Sequence, residues 1–229
     1  VSKSALIANL RPVPDRLRAL ANYRRVAEGY DASSSRIEAL RDRAIAELAL
    51  QPGDCVLDVA CGTGATLPRL AAALGAAGTV IGVEQSPEMA AQAQRRADAD
   101  AQRRIRVQTC PVEEMPLEGP RVDALLLCWT HDVLQTPAAV DRLVARARPG
   151  ARIAIAGMIS VPWLWGWPIN LVNLYRSRHY ATTWANLDRP FRGLEARGAR
   201  LQIIHRALWG TAYIAVGRMP TDAAPRITP

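Results

Sequence analysis

The stretch Val56-Leu57-Asp58-Val59-Ala60-Cys61-Gly62-Thr63-Gly64 constrains the fold of this 229-residue chain more than any other. A short apolar run that stops at glycines reads as a buried strand. The glycines permit positive φ and let backbone approach a ligand closely. Thr66 to Leu74 then reads as a helix. A strand turning sharply into a helix, with further such units behind it, builds a parallel sheet.

The units that follow keep that order. After the Pro52-Gly53 break, strands are expected at Cys55–Ala60, Thr79–Glu84, Arg104–Thr109, Val122–Trp129 and Arg152–Gly157. Leu125, Leu126 and Leu127 predict burial on both faces of the fourth strand. The helices between them are Thr66–Leu74, Ser86–Ala97 and Pro137–Arg148. Ser86 is the expected cap of the second, with Pro87 at its first position and Glu88 in its first turn. Leu201–His205 and Trp209–Val216 read as a closing antiparallel pair.

The prediction is therefore an α/β fold with a doubly wound, mostly parallel seven-stranded sheet. Its core spans residues 51–157 and is closed by strands within 198–218. Residues 1–50 form an N-terminal helical lid. There Leu17, Leu20, Ala21, Arg24 and Ala27 recur at helical spacing, and Gly29 ends that element. Ser33, Ser34 and Ser35 read as a turn and cap, and Ile37, Leu40, Ala44, Ile45 and Leu48 trace a second apolar helix face. Residues 158–197 form an insertion that carries four of the six tryptophans, and 219–229 a loose tail.

Composition narrows the function. Hydrophobic residues at 49% exclude a disordered chain, and no apolar run is long enough to span a bilayer. The Val-Ser-Lys-Ser start has no signal-peptide pattern, and the missing Met points to a trimmed or engineered start. The four cysteines, Cys55, Cys61, Cys110 and Cys128, fit neither a zinc set nor a disulfide framework; buried thiols in a cytoplasmic protein are expected. The formal charge of +8 fits anionic partners, but the arginines are dispersed over helices and not clustered with aromatics. A nucleic-acid partner is disfavoured on that ground.

The glycine turn carries the ligand argument. A dinucleotide turn has the spacing G-x-G-x-x-G. Here Leu67 stands where the third glycine belongs, and Asp58 lies four residues before Gly62. A carboxylate there repels phosphate and suits an ammonium group. Glu84, about twenty residues past the turn, is placed for ribose hydroxyls.

These residues resemble the first motif and the following acid of class I S-adenosylmethionine-dependent methyltransferases, a group that includes ubiquinone/menaquinone-type and natural-product enzymes. The resemblance covers roughly residues 35–157. It implies a Rossmann-like methyltransferase fold, with S-adenosyl-L-methionine as cofactor and S-adenosyl-L-homocysteine as product. Asp58 and the turn Ala60, Cys61, Gly62, Thr63 and Gly64 would surround the methionine end, Glu84 the ribose, and Gln85 and Met89 the adenine. Val112-Glu113-Glu114-Met115-Pro116-Leu117 is similar to the family's adenine loop. Pro111 departs from it, standing where an aspartate commonly meets the adenine amino group, so Val112 backbone or Glu113 would take that contact. Cys128 and Trp129 match the position flanking the sulfonium. In similar enzymes an aromatic of the N-terminal segment closes over the cofactor. Tyr23 and Tyr30 fit that role, or they staple the lid to the core.

The acceptor is less constrained. His131 follows the fourth strand at the carboxyl edge of the sheet, as a base or as a helix cap, with Asp132 as a first-turn acid. His179 and Tyr180 are second catalytic candidates; His205 reads as structural. Trp129, His131, Trp163, Trp167, Asn170, Tyr175, Tyr180 and Trp184 are the candidate acceptor-binding residues. The dense tryptophans, Trp165 included, fit a pocket for a flat or apolar molecule, a homodimer surface or a peripheral membrane contact. No dedicated metal site is expected from three histidines without a carboxylate cluster. The expected function is methyl transfer to O or N of a small, partly aromatic or apolar metabolite, as in natural-product biosynthesis. Alternatives are RNA or protein methylation, a nicotinamide-dependent oxidoreductase, and a non-catalytic binding module.

Overall fold

The structure is a computed structural model and describes residues 12–221. Its N-terminal part is helical: α1 (Arg16–Val26), a 3₁₀ turn (Ala27–Gly29), α2 (Tyr30–Ser34), a second 3₁₀ turn (Ser35–Ile37) and α3 (Glu38–Glu47). Alternation follows: β1 (Cys55–Val59), α4 (Leu67–Leu74), β2 (Thr79–Glu84), α5 (Pro87–Asp98), β3 (Ile105–Thr109), β4 (Val122–Cys128), α6 (His131–Leu134), α7 (Pro137–Arg146) and β5 (Ala147–Met158). The chain ends through α8 (Trp163–Ser177), α9 (Arg192–Glu195), β6 (Arg200–Ala207) and β7 (Ala212–Arg218).

The seven strands form one sheet in the order β3-β2-β1-β4-β5-β7-β6. The first five are parallel, and β7 runs antiparallel to both β5 and β6. The strand order reverses between β1 and β4. That places the expected ligand crevice at the carboxyl ends of these two strands.

Side chains alternate across the sheet because successive residues of a strand point to opposite faces. Leu57, Val59, Leu125 and Leu127 join α7 and α9 on one face. Val56, Ala124 and Leu126 join α3, α4 and α5 on the other. Leu125, Leu126 and Leu127 are fully buried, as the apolar run predicts. Asp58 shares the face of Val56 and is paired in register with Gly82 on one side and Leu126 on the other. Ser86 caps α5 by accepting from the Met89 amide.

Several boundaries differ from expectation. β5 starts at Ala147 and absorbs Pro149-Gly150, with a register shift against β4 between Val122 and Ala124. Gly29 does not end the helical path, which continues through Ser34 and Ser35, with Ser34 at the junction of α2 and the second 3₁₀ turn. The Ser34 hydroxyl finds its acceptor inside the helix, at the Asp31 carbonyl, and so does not compete with it. On α1, Leu17 is 80% exposed while Ala19 is buried, so the expected apolar face is rotated. Trp209 is not in a strand; it sits in the β6–β7 turn at φ 61°. The expected helical start before residue 12 and the tail beyond 221 lie outside the described residues.

Candidate active site

β1 ends at Val59, and the chain turns over the carboxyl end of the sheet. Ala60, Gly62 and Gly64 all take positive φ, at 50°, 59° and 78°. The two glycines are needed for different reasons. At Gly62 a side chain would meet open space; what matters is the backbone angle and the amide, which donates to Glu84 Oε2 at 2.9 Å. At Gly64 a Cβ would lie 2.9 Å from Ala93 Cα, so this glycine lets α5 pack against the turn.

A narrow pocket opens above the turn. Tyr30, Arg41, Asp58, Ala60, Cys61, Gly62, Thr63, Ala65, Thr66 and Cys128 line it. A wider, open hollow along Pro12–Leu17 is remote in sequence from these groups and gathers no comparable set of polar residues. Asp58 is 1% exposed and accepts a hydrogen bond from Thr66 Oγ1. Burial pushes its pKa up to about 7; the Thr66 bond and the Arg41 charge pull it down, and Glu84 adds to the rise. A buried carboxylate in this state gains most from a cation brought beside it.

Glu84 is also buried. Its Oε1 accepts from the Ser86 amide at 2.7 Å while Oε2 holds Gly62. Burial raises its pKa and these amides oppose the rise. Glu84 thus ties the end of β2 to the glycine turn through its carboxylate oxygens. Cys61 and Cys128 are thiols held well above the usual range by burial, so they act as apolar wall. All four cysteines are free.

The lid is latched to this turn by residues that sequence reasoning passed over. Asp31 accepts from Thr63 Oγ1 at 2.6 Å and pairs with Arg96, which also donates to the Thr63 carbonyl. Gln92 Nε2 donates to the Ala27 carbonyl at 2.7 Å. Arg41 donates to Ser34 Oγ and pairs with Glu38. An acid in the first turn of a short helix and a lone arginine on an apolar face carry no sequence signal for such a role; only their meeting in space reveals it.

Tyr30 both lines the pocket and joins an aromatic cluster. Its ring lies 6.2 Å from Tyr23 and 6.1 Å from Tyr180, both edge-on. The Tyr23 hydroxyl donates to the Tyr180 carbonyl at 3.0 Å. The N-terminal helices and the segment after α8 therefore meet beside the pocket.

The other candidates lie apart from the pocket lining. Met89 and Val112 are buried, Gln85 and Glu113 half-buried. Trp129 takes φ 59° at the end of β4 and its amide donates to the Ala156 carbonyl at 2.7 Å. His131 is buried, and neither ring nitrogen has a partner in hydrogen-bond geometry. Burial drives its pKa down to about 4, with a weak upward pull from the backbone at Ala185. Asp132 is more than a first-turn acid: it accepts from the Thr182 hydroxyl at 2.6 Å and the Thr182 amide at 2.9 Å. It clamps the insertion to α6. His179 is exposed, and partial burial and neighbouring arginines lower its pKa.

The aromatic residues between 158 and 197 are not among those that line the pocket. Trp163, Trp167 and Tyr175 stand on the outer side of α8, each more than two-fifths exposed. Asn170 is buried, and both ends of its amide bond the Val161 main chain, accepting at 3.0 Å and donating at 2.8 Å. It staples α8 and is not presented to a ligand. Trp184 packs with Met158, Leu174, Ala181 and Leu187, and its indole N–H is buried without a partner.

The parallel sheet with an antiparallel β7, the acid before the glycine turn and the acid ending β2 are similar to the arrangement of class I S-adenosylmethionine-dependent methyltransferase domains. A family model described as "Methyltransferase domain" matches residues 56–150. The chain is 30% identical over 137 residues to a demethylmenaquinone methyltransferase of Symbiobacterium thermophilum, covering 57% of this chain and 55% of that protein. It is also 30% identical over 142 residues to a 2-phytyl-1,4-naphtoquinone methyltransferase of Trichormus variabilis, 59% of this chain and 62% of the relative. The matches thus span little more than half the length of these relatives. Among solved structures, an O-methyltransferase family protein of Burkholderia thailandensis superposes with a TM-score of 0.66 at 14% identity, covering 88% of this chain and 62% of that one. A SAM-dependent methyltransferase of Aquifex aeolicus gives 0.57 at 20% identity, covering 81% and 97%. These two likenesses establish the fold.

Proposed function

We propose that this chain binds S-adenosylmethionine at the glycine turn and transfers its methyl group to a small apolar ring compound by direct displacement. The observation that carries the reading is Asp58, a buried carboxylate facing the pocket with Thr66 as its hydrogen-bond partner and a pKa near 7. Asp58 takes the ammonium of the amino-acid end and Arg41, on the same wall, its carboxylate. Glu84, at the end of β2, faces the ribose hydroxyls with its carboxylate in this reading. The Cys61 and Cys128 thiols keep the reacting region dry. A pyrophosphate fits this site poorly, because Asp58 would face it.

The bound sulfonium supplies an already activated methyl group, so the protein's task is alignment. Positioning of that kind can supply about 7–11 kcal/mol. His131 fits the acceptor end better as a wall or hydrogen-bonding group than as a base. A ring hydroxyl with a pKa of about 10 would give its proton to a group near 4 only at a cost of about 8 kcal/mol. Thr130, His131 and Trp184 each bury a polar atom without a partner, and in this reading an acceptor oxygen would use one of them. Two relatives are named for demethylmenaquinone and for a phytyl-bearing naphtoquinone. An apolar acceptor with oxygen or nitrogen on a ring, of the sort met in quinone or natural-product biosynthesis, is the matching substrate class.

Calorimetry with S-adenosylmethionine and S-adenosylhomocysteine tests the reading. Binding in the micromolar range is expected for both; no heat at roughly millimolar ligand, equivalent to about −4 kcal/mol or weaker, ends the proposal.

A further inference from the structure

Helix α8 is apolar on the side that faces water. Gly166, Asn170 and Leu174 turn inward. The opposite face presents Leu164, Trp165, Trp167, Leu171, Val172 and Tyr175, with Leu164 93% exposed. No charged residue occurs from Trp163 to Tyr175. A helix of a water-soluble surface carries charge on its outer face, and one apolar all round belongs in a core or against lipid.

A second element extends this face. The β6–β7 turn holds Leu208 and Trp209 at φ 49° and 61°, a backbone region that non-glycine residues enter at a cost of about 1–3 kcal/mol. The turn leaves Trp209 88% exposed. It lies beside the start of α8, because Val161 packs against the backbone of both Gly166 and Gly210. Strain that only serves to push a tryptophan into water has no folding rationale. Four of the six tryptophans thus share one exposed edge.

Charge selects the partner. No acidic residue occurs from 142 to 187, whereas Arg176 and Arg178 close the helix. The Arg178 guanidinium stacks on Tyr175, 3.7 Å from the ring centre, and Arg25 and Arg18 lie close enough to His179 to lower its pKa. Tryptophans beside arginines, with no acids between them, match the headgroup boundary of an anionic bilayer. A protein partner of the same area would be expected to meet some acid–base pairing at the rim.

We propose that α8 and the Leu208–Trp209 turn dock on an anionic lipid surface. Docked there, the chain would hold its pocket close to the bilayer, since Tyr180, three residues past α8, touches the pocket residue Tyr30. An apolar acceptor could then pass between bilayer and site. Only that last consequence rests on the function proposed above; the docking itself does not.

Flotation with vesicles tests it. The full chain should rise with vesicles of mixed phosphatidylglycerol and phosphatidylcholine, with a blue shift of tryptophan emission, and far less with phosphatidylcholine alone. Trp165→Ser combined with Trp209→Ser should weaken binding roughly tenfold or more. Arg176→Gln should weaken it about fivefold, and added salt should mimic that change. The melting temperature and the heat of S-adenosylmethionine binding serve as controls, so loss of docking is separable from loss of the cofactor site. Absence of flotation with the mixed vesicles overturns the proposal. So does sedimentation as a dimer that Leu164→Arg dissociates, which would make this face a contact between two copies.

Discussion

The glycine turn and α8 are both conspicuous in the sequence, yet they behave in opposite ways. At the turn, every unusual feature is satisfied within the protein: Glu84 takes the Gly62 amide, Ala93 fills against Gly64, and Asp31 holds Thr63. The unmet demand is a single buried carboxylate, Asp58. At α8 the interior side is satisfied through Asn170 and Leu174, while the unmet demand is an entire outer face. One charge wanting a counter-charge specifies a small ligand. A broad apolar face with basic ends specifies a surface.

Substitution of Asp58 should separate the two regions most sharply. Asp58→Asn should weaken S-adenosylmethionine binding roughly a hundredfold, the scale of a lost charge-assisted bond, by calorimetry. It should leave vesicle flotation intact. The same variant should stabilise the ligand-free protein at alkaline pH. The folded pKa of about 7 lies above the ordinary 3.8, so the carboxyl favours the fold below about pH 4 and that contribution is lost as pH rises through 7. Melting curves should therefore show a gain above pH 7, of at most about 4 kcal/mol, and almost none near pH 4.

Gly64→Val should cost about 3 kcal/mol in denaturant unfolding, because α5 cannot move away from the turn without opening the core. An unchanged midpoint would mean that the turn is less tightly packed than α8. Asp132→Ala should cost about 2 kcal/mol and raise hydrogen exchange at Thr182 and Thr183, since their amides lose the acceptor. Equal exchange in the two proteins would show that the insertion is held by its apolar contacts instead.

Affinity for S-adenosylmethionine should fall about tenfold for each pH unit below 7, because the proton on Asp58 must leave before the ammonium enters. Above pH 7 it should level off, and the slope should vanish in Asp58→Asn. The smallest effect is expected at His179. His179→Ala should change turnover less than about twofold, as an exposed ring far from any buried partner contributes little. A large loss would return it to the catalytic candidates.

Local pattern made much of this legible. β1, β2 and β4 show apolar runs of the right length, and their ends place Asp58, Glu84 and Trp129 on one edge of the sheet. Ser86 could be read as a cap because capping depends on residues three apart. The latches could not be read. Asp31 with Arg96 and Arg41 with the pocket are separated by tens of residues, and no periodicity connects them.

The tryptophans mark the boundary between the two kinds of knowledge. Their density in residues 158–197 announces a site, but an aromatic side chain packs equally well against a ligand, a core or a lipid. A parallel sheet, a glycine turn and an acid on either side of it are legible in the residues alone, because strand period and backbone angle are local properties. Which face of α8 Asn170 staples inward, and the meeting of Tyr30, Arg41 and Thr66 around Asp58, emerge only in the folded molecule. Those outcomes depend on which surfaces remain after the core is filled, and no short window of residues contains that information.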